Sequence, residues 1–225
     1  MSQFIQSNRY ALLILAIFAY TVVFLYRFQR KQAFDRGLAA RMASGPFEDV
    51  RSHLYSKTGR SIYHEYELQL RELTAALRFD RRAEAGRLIE ELSSSPMREK
   101  DFISFQNQAL NYAVQEKDAA LAERVCKAFG KYKRHARFAA EARQVTDIYI
   151  LRRTDRIEEL LTAAARTKKP SEKATAYFRI AKQYHYLDRP EERRKYLEMA
   201  YAAFPDRTWQ DMLRNILEGD YEQLD

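Results

Sequence analysis

The sequence is poor in the residues that interrupt helices or cross-link chains, with six glycines, five prolines and one cysteine in 225 residues. A single cysteine, Cys126, excludes an internal disulfide, so nothing here indicates a disulfide-stabilised secreted fold. The scarcity of glycine and proline, together with abundant Ala, Leu, Glu, Arg and Lys, disfavours a sheet-rich fold with many tight turns. We therefore predict an all-α protein.

Signatures of catalysis and of metal binding are also missing. The sequence has no glycine-rich phosphate loop, and its four histidines are scattered without the spacing of metal ligands. No Ser/His/Asp or Cys/His arrangement can be proposed from spacing alone. We expect no enzymatic activity, no catalytic residue, no metal site, no cofactor and no small-molecule substrate. The histidines are His53, His64, His135 and His185.

Charged side chains are absent from residues 10–26, an apolar stretch bracketed by Arg9 and Arg27. As a helix these 17 residues span roughly 26 Å, near the lower limit for crossing a hydrocarbon core. A cleaved signal peptide would carry its basic residues before the apolar run, whereas here they follow it. We predict a single transmembrane helix at residues 10–26.

The basic residues after this stretch predict its orientation. Because Lys and Arg resist translocation, residues 1–9 should form a short extracytoplasmic N-terminus, and residues 27–225 should lie in the cytosol. The composition is compatible with a bacterial inner membrane. The opposite topology stays open, since charge biases orientation without dictating it. The membrane-flanking basic residues are Arg27, Arg30, Lys31 and Arg36.

The net charge of +8 is concentrated beside the predicted membrane helix. Residues 27–60 carry a balance of +5, whereas residues 61–225 carry only +2. A basic juxtamembrane segment is attracted to anionic lipid headgroups, although a plain stop-transfer flank explains it equally well. A nucleic-acid-binding domain would place its surplus on the folded part, so we expect no nucleic-acid partner.

Residues 27–62 form a predicted connector, in which Ser44, Gly45 and Pro46 should end any helix that leaves the membrane. Residues 47–56 can form a short helix, and residues 57–61 read as a loop. From residue 63 onward, helical stretches begin near His64, Glu99, His135 and Pro170, at intervals of 35 or 36 residues. Each is followed by a polar turn and a second helix.

The turns within these pairs are predicted at residues 80–81, 117–118, 155–156 and 188–189. An Asp at such a turn can cap the second helix by accepting hydrogen bonds from its first N–H groups. Paired helices at a fixed interval are typical of helical repeats, in which stacking neighbours buries the apolar stripe of each helix. Residues 63–225 are therefore predicted to form one helical repeat domain of four pairs.

The last pair resembles a tetratricopeptide repeat (TPR) over residues 174–206. Its aromatic, small and terminal positions are matched by Tyr177, Ile180, Ala181, Tyr184, Leu197, Ala200 and Pro205. Arg193 and Asp188 depart from the pattern, where the family usually has Ala and Gly. The resemblance implies a TPR-like α-solenoid of about four helix pairs, with residues 208–217 as a capping helix.

A solenoid of this family has a concave groove, lined by the first helix of each pair, that binds an extended peptide or a partner helix. Asn side chains together with Arg or Lys can hold a carboxylate there. A solvated polar face without a ligand is the alternative. The candidate groove residues are Asn107, Asn111, Arg143, Phe178, Lys182 and Tyr186.

These features predict a membrane-anchored adaptor or scaffold whose partners are the bilayer and an unidentified protein or peptide. The alternative is a structural subunit packed permanently into a membrane complex through its solenoid surface. A large exposed apolar patch, for example on residues 206–225, would favour the subunit.

Overall fold

The computed structural model describes the backbone of residues 2–224 and the side chains of residues 15, 17–221 and 224. Over residues 2–224 all regular secondary structure is helical, with twelve α-helices and no strand, which confirms the all-α prediction. The helices are α1 (Ser2–Ser44), α2 (Phe47–Leu54), α3 (Lys57–Ile62), α4 (Glu65–Arg78), α5 (Arg82–Ser93), α6 (Glu99–Gln115), α7 (Ala119–Gly130), α8 (Ala136–Val145), α9 (Ile157–Arg166), α10 (Pro170–Tyr186), α11 (Pro190–Ala203) and α12 (Arg207–Leu217).

The chain divides into two compact units, which are described separately. Unit 1 is Met1–Gln108 and unit 2 is Ala109–Asp225, so the division falls within α6. Unit 1 contains α1 to α5 and the first part of α6. Unit 2 contains the rest of α6, α7 to α12, a π-helical turn at Thr146–Ile150 and short 3-10 turns at Lys133–His135 and Tyr221–Leu224.

Helix α1 is 43 residues long, which corresponds to about 65 Å of rise. It ends at Ser44, directly before Gly45 and Pro46, where the sequence predicts a break. Its C-terminal part packs against α2 and α3 and buries Phe34 and Leu38.

The earlier part of α1 leaves its apolar side chains uncovered. Five consecutive residues from Val22 to Tyr26 are between 48% and 63% exposed, and five residues exceed one helical turn, so no face of α1 is covered there. Among the described residues, no helix is both long enough and apolar enough to cross a bilayer. In the predicted membrane span, the side chains of residues 10–14 and 16 lie outside the described residues.

The predicted loop at residues 57–61 is wrong, because these residues belong to helix α3. Ser56 caps this helix by accepting a hydrogen bond from the backbone N–H of Gly59 at 3.2 Å. Gly59 is buried where α3 meets the end of α2, and a Cβ built on it would lie 2.0 Å from the carbonyl oxygen of Leu54. Glycine therefore serves close packing here rather than a flexible turn.

Four helix pairs and a final helix follow the connector in chain order. The pairs are α4–α5, α6–α7, α8 (extended by the π-helical turn) with α9, and α10–α11. Their first helices begin at Glu65, Glu99, Ala136 and Pro170, within one residue of the predicted starts. The final helix α12 agrees with the predicted helix at residues 208–217. Of these pairs, α4 packs against α5 and α10 packs against α11. The stacking of all four pairs into a solenoid stays a prediction.

The turn inside every pair uses the same backbone device. Asp80, Lys117, Arg152 and Asp188 have φ between 51° and 54° and recur every 35 to 37 residues. In three of these turns the next residue donates its N–H to the carbonyl five residues back, as in a Schellman motif. These bonds are Arg81 to Ala76, Asp118 to Ala113 and Arg189 to Tyr184.

The third connection is longer than the other three. Its left-handed residue is Arg152, and Arg153 donates to the carbonyl of Asp147, six residues back. The predicted turn at residues 155–156 follows it, directly before α9. The π-helical turn adds the extra residue to this first helix. Of the predicted aspartate caps, Asp118 accepts a hydrogen bond from the N–H of Leu121 at 2.9 Å, whereas Asp155 instead pairs with Arg153.

The core of unit 2 is built around α10. Ile180, Ala181, Leu197 and Ala200 are all fully buried, and they occupy the packing positions of the TPR resemblance. One cluster joins α10 to α11, α12 and Leu224, and a second joins α10 to α9 and Ile148. Alternate faces of α10 therefore serve two neighbouring layers, as helical repeats require.

Candidate partner-binding surfaces

A cleft of about 470 Å³ lies in unit 1 between α1, α4 and the beginning of α6. Its walls are rich in cations and hydrogen-bonding groups and contain few apolar side chains. The side chains that line it are Lys31, Tyr63, Glu67, Leu70, Arg71, Thr74, Arg98, Lys100, Asp101, Ser104 and Gln108. Four of these are cationic and two are acidic, so the cleft favours an anionic ligand. We call it the α4–α6 cleft.

Tyr63 closes one end of the α4–α6 cleft. Its hydroxyl donates a hydrogen bond of 2.5 Å to Asp35 of α1. The guanidinium of Arg71 lies 4.1 Å from the ring centroid, and Lys31 Nζ lies 5.4 Å from it. Burial, followed by the hydrogen bond to Asp35, raises the pKa of Tyr63. The neutral phenol therefore holds α1 and two cations at this end of the cleft.

A second wall of the α4–α6 cleft is formed where polar contacts join α4 to the start of α6. Arg98 donates to Glu67 and, at 2.9 Å, to Asp101, while Tyr66 donates to Asp101 at 3.1 Å. Lys100 is exposed at this wall, and no ion pair among the described residues engages its ammonium group. Lys100 is thus the cation of this wall that is left for a ligand.

A second pocket of about 520 Å³ lies between α2, α4 and α5. Its centre is Glu72, which is 1% exposed, accepts a hydrogen bond of 2.5 Å from the Tyr55 hydroxyl, and lies 3.0 Å from Arg51 Nε. Burial raises the pKa of Glu72, while Tyr55 and Arg51 oppose that rise. Burial and the bond to Glu72 raise the pKa of Tyr55 as well. The hydrogen bond from Tyr55 and the ion pair with Arg51 therefore tie the end of α2 to α4 through Glu72.

The polar candidates for the predicted groove have different surroundings. Asn107 and Asn111 are exposed on α6, in unit 1 and unit 2 respectively. Arg143 forms a bidentate ion pair with Glu123 of α7, in which the two guanidinium NH2 groups donate to the two carboxylate oxygens at 2.6 and 3.2 Å. The hydrogen bonds from Arg143 lower the pKa of Glu123. The guanidinium of Arg143 is thus already paired with a carboxylate of unit 2.

The remaining groove candidates come together on α10, beneath another part of the chain. Phe178 belongs to the core cluster that contains Leu224. Lys182 is buried, donates a hydrogen bond to the carbonyl of Leu224, and lies 4.9 Å from the ring centroid of Tyr149 and 5.5 Å from that of Tyr186. This face of α10 is therefore covered by the 3-10 turn at Tyr221–Leu224.

Two of the four basic residues that are predicted to flank a membrane contact the rest of unit 1. Arg30 donates to the Ser61 hydroxyl at 3.0 Å, and Lys31 lies over the ring of Tyr63. Arg27 and Arg36 are exposed. Within the part of the chain that the structure describes, no group of three or more His, Cys, Asp or Glu residues could hold a metal ion.

Sequence reasoning missed the α4–α6 cleft. Its pairs, such as Tyr63 with Asp35 and Arg98 with Glu67, are separated by 28 and 31 residues, so helix spacing rules do not reveal them. Comparisons of the chain with protein-family models, with curated proteins and with solved structures found no match.

Proposed function

We propose that the chain is a membrane-anchored, TPR-like adaptor that binds an acidic segment of a partner protein in the α4–α6 cleft. The observation that carries this proposal is the cationic lining of a cleft between the first helices of two successive pairs. Lys100 and Lys31 are exposed there beside the hydroxyl and amide groups of Thr74, Ser104 and Gln108. Such a lining suits the carboxylates and backbone of an extended acidic peptide.

The anchor in this proposal is the apolar stretch at residues 10–26. Its support is the uncovered apolar surface of α1, which is followed by Arg27, Arg30, Lys31 and Arg36. Such a surface is costly in water and favourable in hydrocarbon. Basic residues on this side favour a cytosolic location for both units. Inner-membrane residence and the TPR-like solenoid belong to the same proposal.

The surface of the last helix supports the adaptor better than the alternative, a subunit packed permanently into a membrane complex. Leu213, Ile216 and Leu224 are fully buried within unit 2, so the apolar side chains of this region serve its own core. Trp209 is exposed, but its ring stacks on Phe204 at 5.2 Å. A permanently packed subunit would instead be expected to present a large apolar patch here.

The binding test uses the full chain in detergent micelles and fluorescent peptides of acidic, neutral and basic sequence. We expect the acidic peptides to bind best. Lys100→Glu should weaken their binding about tenfold, since a charge-assisted hydrogen bond contributes about 1.5 kcal/mol. Arg78→Glu is the matched control, because Arg78 is exposed on α4 outside the cleft. Equal affinity for all peptides, or equal effects of the two substitutions, would contradict the proposal.

The anchor test follows the full chain after alkaline extraction of membranes. We expect the parent chain to stay in the membrane pellet, and Phe24→Lys to release it, since a lysine within a span is costly. Leu151→Lys, at an exposed apolar residue of unit 2, is the control and should stay in the pellet. Extraction of the parent chain into the supernatant would rule out the anchor.

A further inference from the structure

Unit 2 is electrically polarised, although its total charge is small. Two short segments, residues 127–137 and 166–173, hold nine Lys or Arg residues and one carboxylate, that of Glu172. The rest of residues 109–225 holds 14 basic and 18 acidic residues. The basic residues of the two segments, which we call the basic edge, are Lys127, Lys131, Lys133, Arg134, Arg137, Arg166, Lys168, Lys169 and Lys173.

The fold brings the two segments together. One contains the loop between α7 and α8, and the other contains the loop between α9 and α10, so both connect successive helix pairs. Glu172 joins them, because it lies 3.2 Å from Arg137 and 3.0 Å from Lys169 and accepts a hydrogen bond from Thr167 at 2.8 Å. The edge is therefore a single surface although its halves are about 35 residues apart in the sequence.

Buried aromatic side chains anchor the α7–α8 loop to unit 2, while the cations of the loop are exposed to solvent. Phe129 and His135 are buried, with ring centroids 6.3 Å apart, and Phe138 stacks on Phe129 at 5.6 Å. Lys131, Lys133 and Arg134 are exposed. Between them Tyr132 is 49% exposed, and its ring lies 5.4 Å from the guanidinium of Arg134.

We propose that the basic edge is a membrane-contact surface that lies on the anionic headgroups of a lipid bilayer. Six of its nine cations are lysines, which act as flexible point charges and suit a fluid array of headgroups. An amphipathic tyrosine among lysines suits the boundary between headgroups and acyl chains. A site for single-stranded nucleic acid would present several stacking aromatics, and Tyr132 is the exposed aromatic of the two segments that the structure describes.

This surface goes beyond the proposed function, because it lies in unit 2 and involves neither α1 nor the α4–α6 cleft. It would give the chain a second contact with the bilayer. Two contacts on one chain strengthen each other by raising the effective concentration of the second. Contact with the bilayer would also confine unit 2 to the layer of solution next to the headgroups.

The experiment measures how close the edge lies to lipid in the full chain. Ser171→Cys places a single fluorophore on the edge in a Cys126→Ala background, and the quencher is a lipid spin-labelled at its headgroup. The vesicles contain phosphatidylcholine alone or phosphatidylcholine with phosphatidylserine. We expect quenching only with phosphatidylserine, and its loss at about 1 M salt, where the Debye length is about 3 Å.

Two charge-matched variants make the measurement specific. The edge variant replaces Lys131, Lys133 and Lys168 with Gln, and the control replaces Lys117, Lys195 and Arg207 with Gln. We expect the edge variant to lose the quenching and the control to keep it. Equal quenching in both kinds of vesicle, or equal quenching of both variants, overturns the proposal. Binding of a single-stranded RNA oligonucleotide that depends on the edge, without any response to phosphatidylserine, also overturns it.

Failure of the anchor and failure of the edge are distinguishable in the same samples. Flotation of the full chain with phosphatidylcholine vesicles reports the anchor, because these vesicles carry no net charge. Quenching that requires phosphatidylserine reports the edge. A chain that floats without such quenching keeps its anchor and contradicts the edge.

Discussion

The hydroxyl of Tyr63 donates a hydrogen bond of 2.5 Å to Asp35, and this bond ties helix α1 to the short segment between α3 and α4. Tyr55 binds Glu72 and Tyr66 binds Asp101 in the same way. Each bond joins two segments of unit 1 that are distant in the sequence. Tyrosine–carboxylate pairs are therefore a recurring means of attachment in unit 1.

Removal of these hydroxyls should destabilise unit 1 unequally. Tyr55→Phe deprives Glu72, which is 1% exposed, of a hydrogen bond, and should cost about 2 kcal/mol in the free energy of unfolding. Tyr63→Phe affects Asp35, whose side chain is 38% exposed and stays 3.4 Å from Arg71, so it should cost about 1 kcal/mol. Urea unfolding followed by circular dichroism measures both.

The control for this series is Tyr132→Phe, which removes a hydroxyl from a tyrosine that is half exposed. It should change the free energy of unfolding by less than about 0.5 kcal/mol. A larger loss for Tyr63→Phe than for Tyr55→Phe would contradict the role of burial.

Alkaline pH should destabilise unit 1 through the same tyrosines. The folded protein raises the pKa of Tyr55 and Tyr63, so it keeps phenol protons that the unfolded chain loses at its ordinary pKa of about 10. Their contribution to stability is fully present below about pH 10 and is lost as the pH rises towards the folded values. The urea midpoint should fall in that range.

The pH experiment compares the parent protein with the double variant Tyr55→Phe, Tyr63→Phe. The variant should be less stable at neutral pH but should lose stability less steeply above about pH 10, because it has fewer phenols to ionise. Parallel curves for the two proteins would contradict the prediction.

Two glycine substitutions should change stability in opposite directions. Gly59→Ala would place a Cβ 2.0 Å from a backbone oxygen, and the forced displacement should cost about 3 kcal/mol. A Cβ on Gly130, at the end of α7, meets nothing within 4 Å, so Gly130→Ala should stabilise by up to about 1 kcal/mol. Thermal unfolding of the two variants measures the contrast, and a tolerated Gly59→Ala would contradict the packing of α3.

The left-handed turn residue Asp188 offers a test of the repeated turn. Its φ of 52° favours glycine, so Asp188→Gly should stabilise unit 2 by up to about 1 kcal/mol. Asp188→Val should destabilise it by more than about 1 kcal/mol, because a β-branched residue resists this conformation. Urea unfolding of the pair measures the difference. Equal destabilisation by both variants would contradict the prediction that the left-handed backbone conformation limits the choice of residue at this turn.

The order of the helices and the positions of their turns could be predicted because the signals for them are local. The apolar stripes and the polar turns near Asp80, Lys117 and Asp188 lie within one repeat length. The π-helical turn before Arg152 could not be predicted, since it adds a residue without any change in the apolar stripe. Residues 57–61 resemble a loop in the sequence because Gly59 is a typical turn residue. The close packing of Gly59 against Leu54 depends on tertiary structure, which the local sequence does not indicate.

The candidate surfaces were harder to predict because they depend on contacts between distant segments. Arg143 was predicted to line a groove, yet Glu123, twenty residues earlier, engages it. The C-terminal residues cover Lys182, which no spacing rule indicates. The charge balance of +2 over residues 61–225 concealed the basic edge, because summation over a sequence cancels charges that the fold separates.

The long helix α1 sets an angle as well as a distance. Its backbone has no break between the exposed apolar residues and the contacts of Phe34 and Leu38 with α2 and α3. Each residue of an α-helix turns the chain by about 100°. The number of residues between the exposed apolar part of α1 and Phe34 therefore fixes the direction, around the axis of α1, in which the α4–α6 cleft faces. A partner held near the exposed apolar part of α1 would always approach the cleft from the same side.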